Sequence, residues 1–140
     1  MIKRYPNKIL LNPAKEIDLK NNIIMNKFMI KAIPHFQDGI GIAGAQVGLN
    51  YSIFAMKIKT VWKIIMNPKI VKKYGTRVKL MEGCLSIPKR VYEIERYTHI
   101  DVEYYNADWE FIEQRFTHLE AQIFQHEYDH LQGILINSKR

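Results

Sequence analysis

Two histidines four residues apart, in His126-Glu127-Tyr128-Asp129-His130, constrain the fold of this chain more than any other feature. Residues four apart lie on one face of an α-helix, so two imidazoles at this spacing can bind a single metal ion. Glu127 lies about 100° further round the helix, where its carboxylate can reach a water beside the metal without being a ligand. The motif therefore predicts a helix that carries two metal ligands and a group that moves protons.

The residues around the motif support a helix. Leu119, Ile123 and Phe124 share overlapping helix faces with the histidines, and Gly133 lies where a helix commonly ends. We therefore predict a helix from about Thr117 to Leu131. The alternative is an amphipathic surface helix whose histidines bind nothing.

A catalytic metal site of this type usually has three protein ligands and a water. The residues after His130 include no His, Cys, Asp or Glu, so we expect the third ligand to come from earlier in the chain. Cys84, the only cysteine, is the best candidate because thiolates bind zinc and iron tightly. Two alternatives stay open for this residue, namely a small buried apolar side chain and a thiol nucleophile with a histidine as its base.

The rest of the chain predicts one α+β domain, residues 1–140, with antiparallel sheets packed around the metal-binding helix and an N-terminal helix. Apolar residues at four-residue spacing predict the N-terminal helix over about Ile17–Phe36. Asn67-Pro68 and Gly75 are expected to separate some of the strands in the middle of the chain, and Asn106-Ala107-Asp108 is expected to form a hairpin turn. The predicted strands are Tyr51–Met56, Val61–Met66, Ile70–Tyr74, Val78–Met81, Val91–Ile94, Ile100–Tyr105 and Glu110–Phe116.

The segment Gly39-Ile40-Gly41-Ile42-Ala43-Gly44 has the spacing of a dinucleotide-binding loop. That interpretation requires a strand before the glycines, a helix after them and an acidic residue about twenty positions on. Here a predicted helix precedes, a strand follows and no acidic residue occurs before Glu82, so we reject it. The glycines instead indicate a close approach of backbone to a neighbour or ligand, next to the useful carboxamide donor of Gln46.

The charge of the chain is +7 and is unevenly distributed. The stretch Lys57–Lys79 contains eight basic residues and no acidic one. This stretch is either a face for RNA or another polyanion or the solvated surface of basic strands. A single cysteine excludes an internal disulfide, and we find neither a secretory signal nor a segment long enough to span a bilayer. We therefore expect a soluble, cytoplasmic protein.

Three segments together resemble the motifs of the peptide deformylase family. Gly39-Ile40-Gly41-Ile42-Ala43-Gly44-Ala45-Gln46 is similar to the first motif, G-φ-G-φ-A-A-x-Q, where φ is apolar. Glu82-Gly83-Cys84-Leu85-Ser86 matches the second, E-G-C-φ-S, and Gln125-His126-Glu127-Tyr128-Asp129-His130 matches the third, Q-H-E-x-D-H. The order and spacing also agree, and the likeness extends over almost the whole chain.

The family removes the formyl group from N-formylmethionyl peptides and releases formate, so the resemblance implies this activity, in the cytoplasm of the cell or of a phage's host. It implies one divalent metal ion held by Cys84, His126 and His130. Fe²⁺ is the family's usual physiological ion, and Zn²⁺, Ni²⁺ or Co²⁺ can replace it. The resemblance also implies that Glu127 takes a proton from the attacking water and later protonates the leaving amine.

The resemblance further assigns the oxyanion and the substrate to particular residues. The Gln46 side chain and the Leu85 backbone N–H would stabilise the oxyanion, and the peptide would pair in strand fashion with the backbone around Gly41. Glu82 would form an ion pair with Arg96. The expected substrate-binding residues are Gly39, Ile40, Gly41, Leu80, Glu82, Gly83, Leu119, Gln122, Ile123 and His126.

Asp129 is expected to orient neighbouring backbone or a ligand histidine, or else to be an exposed helix acid. Gly44 replaces the second alanine of the first motif, which should loosen the backbone without loss of chemistry.

Many bacterial members continue beyond the catalytic helix, whereas this sequence ends at Arg140 and so resembles the short forms carried by bacteriophages. Contact with the ribosome is then in doubt, although the basic Lys57–Lys79 stretch could compensate. The rival to an enzyme is a non-catalytic peptide- or RNA-binding relative. Such relatives usually lose a ligand or the glutamate, and here Gln46, Cys84, Glu127 and both histidines are present.

Overall fold

The computed structural model describes residues 1–139, which form an α+β architecture as predicted. The order of elements is α1, four strands with intervening turns, β5 and then α2. Four short 3₁₀ helices, Lys8–Leu11, Ile33–Asp38, Gly44–Val47 and Ile136–Ser138, occupy connections. The bounds of the main elements are α1 Asn22–Ala32, β1 Gly41–Ala43, β2 Ile53–Ile58, β3 Val61–Cys84, β4 Ile87–Tyr105, β5 Phe111–Thr117 and α2 His118–Leu131.

The five strands form one antiparallel sheet in sequence order, with the short β1 at one edge and β5 at the other. The long β3–β4 hairpin is the centre of the sheet, and register shifts interrupt its pairing at four places. Such bulges bend a strand and increase its twist. The hairpin can therefore curve around a helix instead of extending flat into solvent.

Helix α2 is held by aromatic packing. Phe124 is fully buried, meets Phe54 edge-on at a ring-centroid distance of 5.1 Å and lies 5.5 Å from Phe116 of β5. Burial of a side chain of this size stabilises a fold by about 1.5–3 kcal/mol. This anchoring fixes the rotation of α2, so that the neighbouring face of the helix carries Ile123, Glu127 and His130 into the interior.

The first helix is shorter than predicted. Helix α1 begins at Asn22 because the Asn21 side chain accepts a hydrogen bond from the Ile23 N–H and so caps it. Ile17 lies outside the helix, since the Asn67 side chain satisfies both its N–H and its carbonyl at 2.8 Å. Beyond Ala32 the chain tightens into a 3₁₀ helix that contains Pro34, which lacks the N–H that an α-helix needs.

The prediction of seven separate strands is wrong, because three of them merge into β3 and two into β4. Asn67 and Gly75 have positive φ, 47° and 81°, and lie at register shifts within β3. They are bulges inside one continuous strand, not breaks between strands. The short β1 was not predicted. The Asn106 turn between β4 and β5 is present, with its side chain accepting from Asp108 and Glu110 N–H groups. Among residues 1–139, no helix has the length and apolar character needed to cross a lipid bilayer.

Candidate metal centre

Three potential ligands from two elements converge at one point. Cys84 ends β3, and His126 and His130 lie one turn apart on α2 with ring centroids separated by 5.2 Å. Their ligand atoms all lie within 4.8 Å of one another, and Cys84 Sγ is 3.4 Å from His130 Nε2. Of the His, Cys, Asp and Glu residues in 1–139, this is the group that could hold a metal ion.

The donor set suits a single transition-metal ion. Metal–sulfur and metal–nitrogen bonds of about 2.3 and 2.0 Å in a tetrahedron place ligand atoms roughly 3.3–3.6 Å apart, close to the observed sulfur–nitrogen distance. Burial lowers the pKa of His130 well below its ordinary value, so this ring is neutral, as a ligand must be. Burial would also lower the pKa of His126, but the Cys84 thiol and the Glu82 and Glu127 carboxylates raise it to about 10. The surroundings of His126 thus favour a positive charge, which either a proton on the ring or a bound metal ion can supply.

A buried ionic network orients His126. The Nδ1 atom of His126 lies 2.8 Å from a Glu82 oxygen, which leaves Nε2 directed to the metal site. Arg96 binds the same carboxylate with two hydrogen bonds of 2.9 and 2.8 Å, and also pairs with Asp129 at 2.6 Å. Burial would raise the pKa of Glu82, but the hydrogen bonds from Arg96 and His126 lower it to about 2.

The expectation that Asp129 orients a ligand histidine is therefore wrong. The Asp129 carboxylate contacts Arg96 and, at 3.3 Å, Lys139, whereas Glu82 holds the histidine. The Asp129 oxygens are directed to the guanidinium of Arg96 on β4. Asp129 therefore supports the site by pairing with Arg96, and its charge also helps to raise the pKa of Glu127.

Removal of Arg96 should strongly destabilise the protein. Arg96→Ala leaves the buried carboxylate of Glu82 and the half-buried one of Asp129 without Arg96, and a broken buried ion pair costs about 3–5 kcal/mol. Because the folded pKa of Glu82 is depressed to about 2 from 4.5, its pairing stabilises fully above pH 4.5 and is lost as the pH falls toward 2. Urea unfolding at pH 7 measures the effect.

The control is Arg77→Ala, because Arg77 pairs with Glu95 on the exposed part of the same hairpin. An exposed pair contributes less than about 1 kcal/mol. Equal losses in the two variants would show that the buried network does not support the fold.

Glu127 lies beside the ligands but is not one of them. Its Oε2 is 4.0 Å from His126 Nε2, and its Oε1 is buried without a hydrogen-bond partner among the described residues. Burial raises the pKa of Glu127 to about 7, which suits a group that both accepts and returns a proton near neutral pH. Gly41 makes room for it, since a Cβ on Gly41 would lie 2.5 Å from Oε2.

The Gln46 carboxamide is fixed on both sides. Its oxygen accepts from the Ala43 N–H at 2.9 Å, and its nitrogen donates to Ser86 Oγ at 3.1 Å and lies 3.7 Å from Cys84 Sγ. The Ser86 hydroxyl in turn donates to the Lys3 carbonyl at 2.7 Å. The nitrogen, the donor atom of this side chain, is thereby held next to the metal ligand.

Gly44 lies where the backbone of the first motif packs closely against its neighbours. A Cβ at this position would lie 2.4 Å from the Leu49 carbonyl oxygen and 3.0 Å from that of Tyr51. An alanine therefore requires a shift of backbone here. Gly44 allows the turn to pack closely and so helps to place Gln46, two residues later.

The site opens into a cavity of about 780 Å³. Its walls contain Gln46, Cys84, Leu85, His126 and Glu127, together with all the residues expected to bind substrate except Leu80. The strand meets the cavity at Met81, one residue later, and Leu80 does not line it. Sequence reasoning missed Met81, Val91, Arg4, Lys89 and Arg90 as lining residues. Lys89 and Arg90 lie three and four residues after the second motif, and this nearness is the one signal that could have indicated them.

The site combines two imidazoles and a thiolate around one point with a buried carboxylate beside them, and a cavity leads to it. This arrangement is that of a mononuclear metal-dependent hydrolase. The polypeptide deformylase family model matches residues 1–140, and the chain belongs to this family. Peptide deformylases are metal-dependent hydrolases that remove N-formyl groups from nascent peptides.

Individual relatives agree with the assignment. The chain is 39% identical to the peptide deformylase of Thermotoga maritima, over 96% of this chain and 83% of that one. It is 35% identical to that of Karelsulcia muelleri, over 94% and 72%. The crystal structure of the Thermotoga maritima enzyme superposes with a TM-score of 0.93 at 31% identity, over 99% of this chain and 95% of that chain. A probable peptide deformylase from Synechococcus phage S-SSM7 gives 0.93 at 29% identity, over 100% and 99%.

Proposed function

We propose that residues 1–140 form one catalytic domain that hydrolyses the formyl–nitrogen bond of N-formylmethionyl peptides, with Cys84, His126 and His130 holding one Fe²⁺ ion. The observation that carries the proposal is the convergence of these three side chains next to Glu127, at the base of an open cavity. Zn²⁺, Ni²⁺ or Co²⁺ suits the same sulfur and nitrogen donors. A bound ion acidifies water and polarises a carbonyl group.

Glu127 acts as the general base and then as the general acid. Its carboxylate accepts a proton from the attacking water and delivers it to the α-amine as the bond to the formyl carbon breaks. The buried position supports this role, since the unpartnered Oε1 has no competing donor among the described residues.

Gln46 Nε2 and the Leu85 N–H donate to the oxygen that becomes negatively charged during attack. The peptide lies along β1, which is an edge strand and can add an extended segment. The methionine side chain enters the cavity between β3 and α2, near Gly83, Gln122 and Ile123. Gly39, Ile40, Glu82 and Leu119 complete the proposed substrate-binding walls.

Loss of the Gln46 donor should reduce turnover more than binding. Gln46→Met retains the length of the side chain but cannot donate, and removal of one oxyanion donor costs about 10²–10³-fold in kcat. We expect little change in KM for a formyl-Met peptide. The control is Gln132→Met, an exposed glutamine just beyond α2. If Gln46→Met keeps more than half of the wild-type kcat, the oxyanion is stabilised elsewhere. A melting temperature for each variant separates this effect from loss of the fold.

A cytoplasmic location and contact with the ribosome are part of the proposal. The single, metal-competent cysteine suits a reducing compartment. The basic residues of the Lys57–Lys79 stretch in β2 and β3 could contact ribosomal RNA, for which salt-dependent binding is the expected signature.

The activity is tested by anaerobic loading with ferrous iron and measurement of formate released from formyl-Met-Ala-Ser. Chelation should abolish the release, whereas a thiol enzyme that used Cys84 as nucleophile would remain active. No formate from the iron-loaded protein would refute the proposed activity and favour a non-catalytic peptide- or RNA-binding role.

A further inference from the structure

We propose that this site prefers peptides with acidic side chains in the first few positions after the formyl-methionine, and that Lys89, Arg90 and Arg4 provide the preference. The inference rests on the proposed function and specifies the class of substrate. It is carried by the local structure of β4, the charges around the cavity and the apolar character of the remaining rim.

A bulge brings two of these cations to the site. In the β3–β4 ladder Cys84 pairs with Ile87, whereas the preceding residue, Gly83, pairs with Val91. The three residues between Ile87 and Val91 therefore have no partner on β3 and project as a loop opposite the cysteine. Lys89 has a φ of 64°, in the left-handed region, which turns the chain at this point. Bulges next to active sites commonly re-aim side chains in this way.

The three cations have no side-chain partner among residues 1–139. Arg4, Lys89 and Arg90 are exposed and line the cavity, and none forms a side-chain ion pair or hydrogen bond with residues 1–139. They are therefore available to an incoming carboxylate.

The acidic groups of the cavity do not cancel this charge. Asp38 is the one exposed acid on the wall and has His35 3.9 Å away, while Glu82 is already paired with Arg96 and Glu127 is buried. The rim thus carries an excess of positive charge.

The remaining rim is apolar and cannot select for charge. Ile40, Met81, Val91 and Leu119 line the same cavity although 49%, 62%, 62% and 59% of their surfaces are exposed. They can take up apolar side chains of the peptide. Charge selection therefore comes from the side of the cavity formed by Lys89, Arg90 and Arg4. Exposed ion pairs are individually weak, so two or three together give a preference on the order of tenfold.

The test compares kcat/KM of the iron-loaded protein for three peptides, formyl-Met-Xaa-Xaa-Ala amides in which Xaa is Glu, Gln or Lys. The amide removes the terminal carboxylate, and a parallel set with a free carboxylate shows how much that group alone contributes. We expect the order Glu, Gln, Lys, with a Glu-to-Lys ratio of about tenfold at low salt that shrinks as salt is added. The double variant K89E/R90E should abolish or invert the order, and K89S/R90S should flatten it.

The matched control is K27E/K31E. It changes the net charge of the protein by the same amount on the exposed face of α1, outside the cavity. It should keep the wild-type order of peptides. The inference is overturned if wild type does not prefer Glu over Lys, if K89E/R90E keeps the preference, or if K27E/K31E removes it equally, since overall charge would then be the cause. Absence of formate with all three peptides would instead overturn the proposed function.

Discussion

Replacement of Glu127 with Gln should lower kcat/KM for a formyl-Met peptide by about 10²–10⁴-fold, the usual contribution of a general acid–base group, while one metal ion stays bound. A carboxamide has nearly the same shape but cannot take a proton from water. The metal should remain because Glu127 is not among the three converging ligands. Formate release and metal content by elemental analysis measure the two properties separately.

The control for Glu127 is Glu120→Gln on the first turn of the same helix. Glu120 does not line the cavity, and its variant should retain activity within about twofold. If Glu127→Gln is as active as wild type, Glu127 is not the group that transfers the proton. Loss of metal from Glu127→Gln would instead assign it to the ligand set.

Replacement of Cys84 with Ala should remove both metal and activity. Disturbing a group behind a ligand already costs about 10–100-fold in metal affinity, so loss of the thiolate should exceed 100-fold. His126→Gln and His130→Gln should behave similarly, because each supplies one of the three ligand atoms. Equilibrium dialysis against Co²⁺, combined with the visible absorption of a cobalt–thiolate bond, measures affinity and ligation together.

The control for the ligands is His118→Asn. His118 lies at the start of α2, is exposed, and has a φ of 52°, which asparagine tolerates well. This variant should bind metal normally. It would show that removing any histidine from α2 is not enough to abolish metal binding. If Cys84→Ala binds cobalt as tightly as wild type, Cys84 is not a ligand.

Short-range patterns were sufficient to predict the helix that carries the site. The bounds of α2 differ from the prediction by one residue at the start, because the apolar residues, the histidines and Gly133 all act locally. The absence of ligand residues after His130 directed attention to Cys84. The three motifs then indicated the family, and with it the role of the Leu85 N–H and the substrate-binding residues.

Long-range pairing limited the prediction of the strands and of the network around the site. An Asn-Pro pair, as at Asn67, or a glycine, as at Gly75, usually indicates a loop. Here pairing with β4 makes both positions bulges within a single strand. The partner of Asp129 depends on where Arg96 lies across the sheet, which sequence spacing does not encode. The position of Lys89 opposite Cys84 likewise follows from a register shift that no local pattern predicts.

We propose that one metal ion, held by Cys84, His126 and His130, makes this chain an active deformylase. The most direct measurement is an anaerobic titration of metal-free protein with Fe²⁺ while formate release from formyl-Met-Ala-Ser is followed. We predict no release without metal, a linear rise in rate and a break at one Fe²⁺ per chain. Formate release at the full rate from metal-free protein, or no release after a full equivalent is bound, would contradict the claim.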